Sequence, residues 1–575
     1  MATSGEVEIT IADGAAGTIV VPSSKLQVVI GTCSSGTANA VVATRNPRTL
    51  QSTFGYGPLP EAAAMTIAAG GAVLAIRAAT NTAGAVATGS PLAISDATTA
   101  TPIVITCATH GLTSGAVVTI ASVGGNTAAN GTFVITVLSA TTFSLNNSVG
   151  AGAYTSGGTA TYAGTMQSGT GTSVITFTGA AYDDLYPLIT VTKAGTIGTT
   201  GIQFTVSLDG GRTTGPSISL GTSTTYVIPQ TNVTVNFSAG TLVLADTARC
   251  YTTAPTTNTA GILAALTALA DSQYGVTGFG SMHIVYTCSG ADATTIQGFL
   301  DTLATGFLYT RAIVNVRDGL RPVAWGGAGE TNAVWAASIL ADFSAVDAKR
   351  VCAAAGHYNM ASQYPNPAAG LPRYRRNLGW AQAAREVQIP PQRHSGRVKD
   401  GALATVIIDP IRDPADGFLY HDERTDGPSL DYLRGGAGRF SSGCTRIGKP
   451  GLFIANPLLL SPLGSDFKFM PLGKVMDIAC GLVHQVGQDH INDDLLTQAN
   501  GTLQRAALGN LQSDYDVAIA TNMTALGMIS AATVAIDPTT NVALTSTVST
   551  SITINGVAYV LKENVSIAYG AGAPS

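Results

Sequence analysis

Charge is scarce in this sequence. Only 11% of its 575 residues are Asp, Glu, Lys or Arg, where soluble domains carry roughly a quarter, and the mean hydropathy is +0.28. A surface so poor in charge points to extensive burial against other chains. The net charge of −5 lacks the basic signature of a nucleic-acid binder. Between Asp96 and Asp183 there is no charged residue at all. Cysteine pairs are also missing. Cys33, Cys107, Cys250, Cys288, Cys352, Cys444 and Cys480 are odd in number and scattered, with no CxxC. That argues against a zinc site or disulfide frame and predicts buried thiols in a reducing compartment. Long apolar runs are absent too: GLFIANPLLL is too short and interrupted to span a bilayer. MATSGEVEIT has no basic or apolar region of a secretory signal. The expectation is a soluble protein, made in a cytoplasm, that assembles.

What is present reads as an α+β multidomain chain, with roughly three to five domains at ordinary sizes. Residues 1–25 form a candidate N-terminal β-arm, in which Val7, Ile9 and Ile11 alternate with polar neighbours; an edge strand of the first domain fits equally. In 26–95, the buried strand LQVVIGTC is followed by PRTLQSTFGYG, read as a turn-bounded segment. A small helix then starts at Pro60 and ends at Gly70-Gly71, before the strand GAVLAIRAA. Residues 96–163 are short β-runs separated by Gly, Asn and Ser, an all-β module. Residues 164–256 are a second β-rich module, with Asp209-Gly210-Gly211 as its clearest hairpin turn. From 257 to 409 helices and strands alternate, as in a layered α/β domain. Residues 410–550 hold a long amphipathic helix: Leu472, Val475, Met476, Ala479, Leu482, Val483 and Val486 recur on one face, and Pro471 suits its first turn. Residues 551–575 are a candidate C-terminal arm, with Asn555-Gly556 as a hairpin turn and Val565, Ile567 and Tyr569 on a terminal β-run.

No reaction centre emerges from the spacing. GCTRIGKP nearly spells a phosphate-binding loop, but Pro450 stands where Ser or Thr is needed and the next residues are extended. GRFSSGC is not the G-x-S-x-G elbow of a hydrolase, although His421, His484 and His490 supply histidines for a triad. HDERTD, residues 421–426, lacks metal-ligand spacing and reads as a solvated polar loop. Residues 373–399 gather Arg373, Arg375, Arg376, Arg385, Arg393, Arg397 and Lys399. With Tyr374 and Trp380 they offer stacking for nucleic acid. The acidic balance of the chain favours an intersubunit salt-bridge surface instead. The reading is therefore of no enzyme, no catalytic or metal residues and no cofactor.

An apolar strand ending in Gly (Val28-Val29-Ile30-Gly31), Pro47, Phe54-Gly55, the small helix Ala62 to Ala69, Gly70-Gly71 and an apolar strand from Val73 to Arg77 follow in that order. This arrangement resembles the opening of contractile-tail sheath proteins, and the long helix followed by terminal strands resembles their C-terminal organisation. Residues 109–145 are similar to a β-rich module inserted in several phage virion proteins. The resemblance implies a discontinuous α/β sheath core, about 26–90 with about 410–550, carrying inserted all-β modules and extended terminal arms. It also implies a virion subunit, assembled in the host cytoplasm, that polymerises around a tail tube. Its partners would be neighbouring copies, the tube protein, and baseplate and tail terminator proteins. No direct nucleic-acid contact or membrane insertion is expected. Val7, Ile9, Ile11, Val565, Ile567 and Tyr569 would lie on arms that enter neighbours' sheets. Lys468 and Lys474, flanking the start of the long helix, would face the tube. A non-contractile virion protein, such as a tail tube or adhesin, is the alternative.

Overall fold

The computed structural model describes residues 25–321, 329–404, 406–407, 419–426 and 429–561. They fall into two units. Of the described residues, the larger takes 25–306 and Thr310–Lys474; the smaller takes Phe307–Tyr309 and 475–561.

The larger unit is organised by a sheet whose strands come from distant parts of the sequence. In chain order its elements are β1 (Leu26–Gly31), β2 (Val41–Thr44), α1 (Pro47–Phe54), α2 (Pro58–Ala68) and β3 (Ala72–Arg77). After the β-rich region come α3 (Thr259–Ala270), β4 (Met282–Thr287), α4 (Gly290–Thr305), β5 (Ala312–Asn315) and α5 (Asn332–Asp342). They are followed by β6 (Val351–Ala355), α6 (Leu378–Gln388), β7 (Ser441–Arg446) and β8 (Lys449–Ile454). The strand order is β2-β3-β1-β4-β5-β6-β7-β8. The neighbours from β3 to β7 pair in parallel, while β2 and β8 join antiparallel at the two edges. Strands β1, β3, β5 and β6 are apolar and largely buried along their length, as strands covered on both faces must be.

Two helices explain the core. α2 is apolar on every side, and a helix of that kind survives only inside a protein: Pro58 to Thr66 are all buried, Glu61 included. α6 is buried from Leu378 to Val387. Both join one apolar cluster with Val29, Leu50, Phe54, Val73, Trp380 and Leu452. α1 corrects the reading of residues 47–54 as a turn-bounded segment. Asn46 caps it by accepting from Arg48 N, Pro47 sits in its first turn, and Leu50 and Phe54 bury one face.

The β-rich region runs between β3 and α3. Its ten-stranded sheet crosses the boundary at residue 163. The long strand Thr159–Ser168 pairs with Ala116–Ala121 and Leu92–Ala97 of one part, and with Thr247–Cys250 of the other. The apolar clusters stay separate, one around Ile105, Val118 and Phe143, the other around Ile189, Phe204 and Val235. Ten residues are enough for one strand to edge both clusters.

The middle segment, 257–409, is no separate domain: it supplies β4, β5 and β6 at the centre of the same sheet. Residues 410–550 likewise divide, with β7 and β8 in the sheet and the chain from Val475 in the smaller unit. That unit holds most of α7 (Met470–Asp489), α8 (Arg505–Ile519), β9 (Ala531–Ile536) and β10 (Thr550–Asn555). Val475, Ala479, Leu482 and Val486 of α7 pack with Tyr515, Ile519, Met523 and Val534. Among the described residues Asn555-Gly556 makes no hairpin: Asn555 ends β10, which pairs back onto β9 with Ala531 opposite Asn555.

Candidate functional site

A cavity of about 110 Å3 opens at the carboxyl ends of β1, β4 and β5, lined by Thr32, Thr287, Asn315, His357, Arg375 and Arg376, among others. β3 and β4 lie on opposite sides of β1. The strand order therefore reverses here, which is where open α/β sheets place ligands.

The two arginines come from the strand Arg373–Asn377, paired antiparallel with His357–Ala361. Arg376 donates two bonds to Asp183, at 2.7 and 2.5 Å, and its guanidinium stacks 4.6 Å from the Trp380 ring centre. Both partners of this ion pair are buried. Glu61 lies beside it, its carboxylate accepting from Ser362 Oγ at 2.5 Å and Gln363 N at 2.7 Å. Burial pushes Glu61 up to about 7, against the pull of Arg376. Arg375 donates to Asp318 at 2.6 and 2.7 Å, and that carboxyl is held below its usual range despite burial, by Arg375 and His357. His357 Nδ1 is 3.6 Å from Asp318. Burial lowers His357 to about 4, leaving it neutral at neutral pH. The guanidiniums are thus committed to carboxylates of the β-rich region and of the sheet. The arrangement ties chain segments together and presents no activated nucleophile.

The chain is similar to sheath tail proteins of known structure. One, from Desulfitobacterium hafniense, is 9% identical, with 96% of this chain and 100% of that chain covered and a TM-score of 0.40. Another, from Listeria innocua, is 9% identical over 89% and 88%, with a TM-score of 0.37. The anti-feeding prophage helical sheath in its contracted state is 11% identical over 56% and 78%, with a TM-score of 0.34. The family model of the ubiquitin-activating enzyme E1 FCCH domain matches residues 100–163. No curated protein matches the chain.

Several sequence candidates lie elsewhere than expected. Arg375, Arg376 and Arg385 of the basic stretch turn inward; Arg385 donates to the carbonyls of Asp400, Gly401 and Ala402. These three are spent inside the chain, while Arg397 and Lys399 of the same stretch are exposed. Lys474 is likewise turned inward: its Nζ is 2.5 Å from Oε2 of the buried Glu386, and its own side chain is 11% exposed. Lys468 is half-exposed. Val7, Ile9, Ile11, Val565, Ile567 and Tyr569 lie outside the described residues. Residues 551–555 complete the sheet with β9.

GCTRIGKP folds as the β7–β8 hairpin, with Arg446 opposite Lys449. No strand–loop–helix cradle exists there. HDERTD is solvated only in its second half: His421, Asp422 and Glu423 are buried, while Arg424 and Thr425 are exposed. His421 Nε2 lies 2.9 Å from Glu423 Oε2, so no serine takes that nitrogen. Among the described residues no three His, Cys, Asp or Glu side chains gather to hold a metal ion, and no helix is long and apolar enough to cross a membrane. None of the seven cysteines is in a disulfide, and only Cys480 is partly exposed. The acids of the seam, Glu61, Asp183 and Asp318, were missed. Asp183 and Asp184 had one signal: they are the first charges after a long neutral stretch.

Proposed function

We propose that this chain is the subunit of a contractile tail sheath. The observation that carries the reading is that the residues of the sequence resemblance, Val28 to Gly31, Phe54-Gly55, Ala62 to Ala69 and Val73 to Arg77, form the β1–α1–α2–β3 unit. That unit supplies much of the central apolar cluster of a sheet assembled from distant segments. The low charge of the chain, 11%, supports a surface made for burial against copies of itself.

In this reading subunits polymerise around a tail tube in an extended, metastable state. A trigger from the baseplate starts a rearrangement to a wider, shorter and lower-energy state that drives the tube through the target envelope. The energy is stored in intersubunit contacts, so no nucleotide takes part. Terminal arms carrying Val7, Ile9, Ile11, Val565, Ile567 and Tyr569 add strands to neighbours' sheets and keep subunits linked while they rotate. The β-rich modules are insertions on the outside of the sheath. Lys468 faces the tube. The other partners are the baseplate and tail terminator proteins. The protein resides in the virion tail after assembly in the host cytoplasm, contacting no nucleic acid and entering no membrane.

Negative-stain microscopy of the full chain, beside a variant lacking residues 1–20 and 562–575, tests the reading while leaving β10 whole. Hollow tubes from the full chain alone are expected. Tubes from both would remove the arms from the mechanism, and monomers at every concentration would overturn the sheath itself.

A further inference from the structure

The hairpin that replaced the phosphate loop carries an exposed basic face. Its tip places Ile447, 88% exposed, between Arg446 and the exposed Lys449. Arg446 lies 5.9 Å from the Phe453 ring centre, and Arg424 Nε donates to Thr445 Oγ1 at 2.9 Å. The loop bearing Arg397 and Lys399 packs on the same hairpin. Val398 and Ala402 join Cys444, Phe453 and Ala455 in one small cluster, and Leu403 N donates to Leu452 O at 2.8 Å. Carboxylates on these elements are Asp400, 3.0 Å from Arg397 Nη1, Asp422, which accepts from Thr445 N at 2.9 Å, the buried Glu423, which accepts from Asp431 N at 3.2 Å, and Asp426, which accepts from Asp422 N at 3.0 Å. The balance is cationic, on a chain that is anionic overall.

The smaller unit has the opposite character. From 475 to 561 every Asp or Glu is an aspartate, and Arg505 stands alone against them among Lys and Arg. Asp489, Asp493, Asp494, Asp514 and Asp516 are exposed. His490 brings the end of α7 to α8: its Nε2 is 3.7 Å from Asp514 and its ring lies 5.8 Å from Tyr515. Beside this contact in the sequence are two exposed apolar residues, Ile491, which follows His490, and Val517, three positions after Asp514 on α8; they are 69% and 60% exposed.

We propose that the basic hairpin face of one copy docks on the acidic α7–α8 face of a second copy, with Ile447 seated among Ile491 and Val517. Opposite charge with an apolar centre is the pattern of a specific interface, the charges steering association and fixing register. A face joined to a different face of the next copy generates a ring or a helical filament and not a closed dimer. The inference rests on the sheath reading and names the surfaces that reading requires.

The test reverses charge on one face or both. The full chain is compared with Arg446→Glu/Lys449→Glu, with Asp493→Lys/Asp514→Lys, and with the fourfold combination, each checked for native circular dichroism. Assembly is followed by sedimentation and negative stain across a salt series. Each double variant is expected to need about tenfold more protein to assemble, equivalent to about 1.4 kcal/mol per contact. The combined variant should recover toward the full chain, and salt should weaken assembly of both. Double variants that assemble like the full chain, or a combined variant no better than either, would overturn the charge pairing while leaving the sheath standing. Monomers from the unaltered chain at every salt would overturn both. A nucleic acid bound by the hairpin, lost in Arg446→Glu/Lys449→Glu without any change in assembly, would also overturn it.

Discussion

Glu61 is an acid folded into the first turn of a buried apolar helix, and its surroundings decide what pH does to the protein. Arg376 is shared: it is fully bonded to Asp183 and only attracts Glu61 from nearby. Burial therefore wins and Glu61 titrates near 7, against 4.5 for the ordinary side chain. An acid whose folded value is raised favours the folded state while it is protonated. Its contribution is whole below about 4.5 and is lost as pH rises to about 7, to an extent of about 3 kcal/mol. Asp431, raised to about 6 by burial, acts in the same direction. His283, His357 and His394, each lowered to about 4 by burial, act oppositely, losing stability as pH falls from 6.5 toward 4. The difference between the natural chain and Glu61→Gln isolates one group from this composite. In chemical denaturation from pH 5 to 8, Glu61→Gln is expected to gain on the natural chain steadily up to about pH 7 and then hold level. A constant gap across that range would show that Glu61 does not titrate there.

At the scale of elements, the start of α7 joins two kinds of information. Its apolar stripe was legible, because spacing alone sets which helix face is buried, and Val475, Ala479, Leu482 and Val486 are buried as that spacing requires. The lysine at its start was not. A charged residue flanking an apolar stripe reads as exposed unless its partner is known, and Glu386 is far away in sequence. Lys474→Met should leave Glu386 buried and unpaired, at a cost of about 3–5 kcal/mol, while Lys474→Met/Glu386→Met should recover most of it. Denaturant midpoints at neutral pH measure both, and a lysine directed at a tube would show neither loss nor recovery. The same limit hid α1, whose eight residues are too few for a decisive period, although Asn46-Pro47 marked its start. It also hid the unity of the α/β sheet. Parallel pairing is set by which crossovers pack together, and nothing local tells β1 that β4 will be its neighbour. The arginine seam was half legible: the cations stood out as a cluster, while Glu61, Asp183 and Asp318 were dispersed through the chain.

For the molecule as a whole, the decisive question is whether the β-rich region is a passenger on the α/β sheet or part of its fabric. Its entry and exit are side by side. Thr82 bridges Thr256, with Asn81 N donating to Thr256 O at 2.8 Å and Thr256 N to Thr82 O at 2.9 Å. Removing residues 83–255 and joining Thr82 to Thr256 through Asn-Gly would therefore ask only for a two-residue hairpin turn. The loss falls at the seam. Ala368, Ala369 and Tyr374 pack into the β-rich core and would meet water, and Arg376 would lose Asp183. Glu61 remains, and with Arg376 released the two should pair. That drops the Glu61 value and reverses its contribution, so that stability is lost as pH falls through the acid range and no longer as it rises. The shortened chain is expected to melt cooperatively at a lower temperature than the full chain, with this inverted pH response, and to form tubes if the β-rich region lies outside the sheath. A chain that binds hydrophobic dye and melts without cooperativity would mean that the two sheets are one folding unit. The neutral stretch between Asp96 and Asp183 would then be structural fabric, with Arg376 the point where it is fastened.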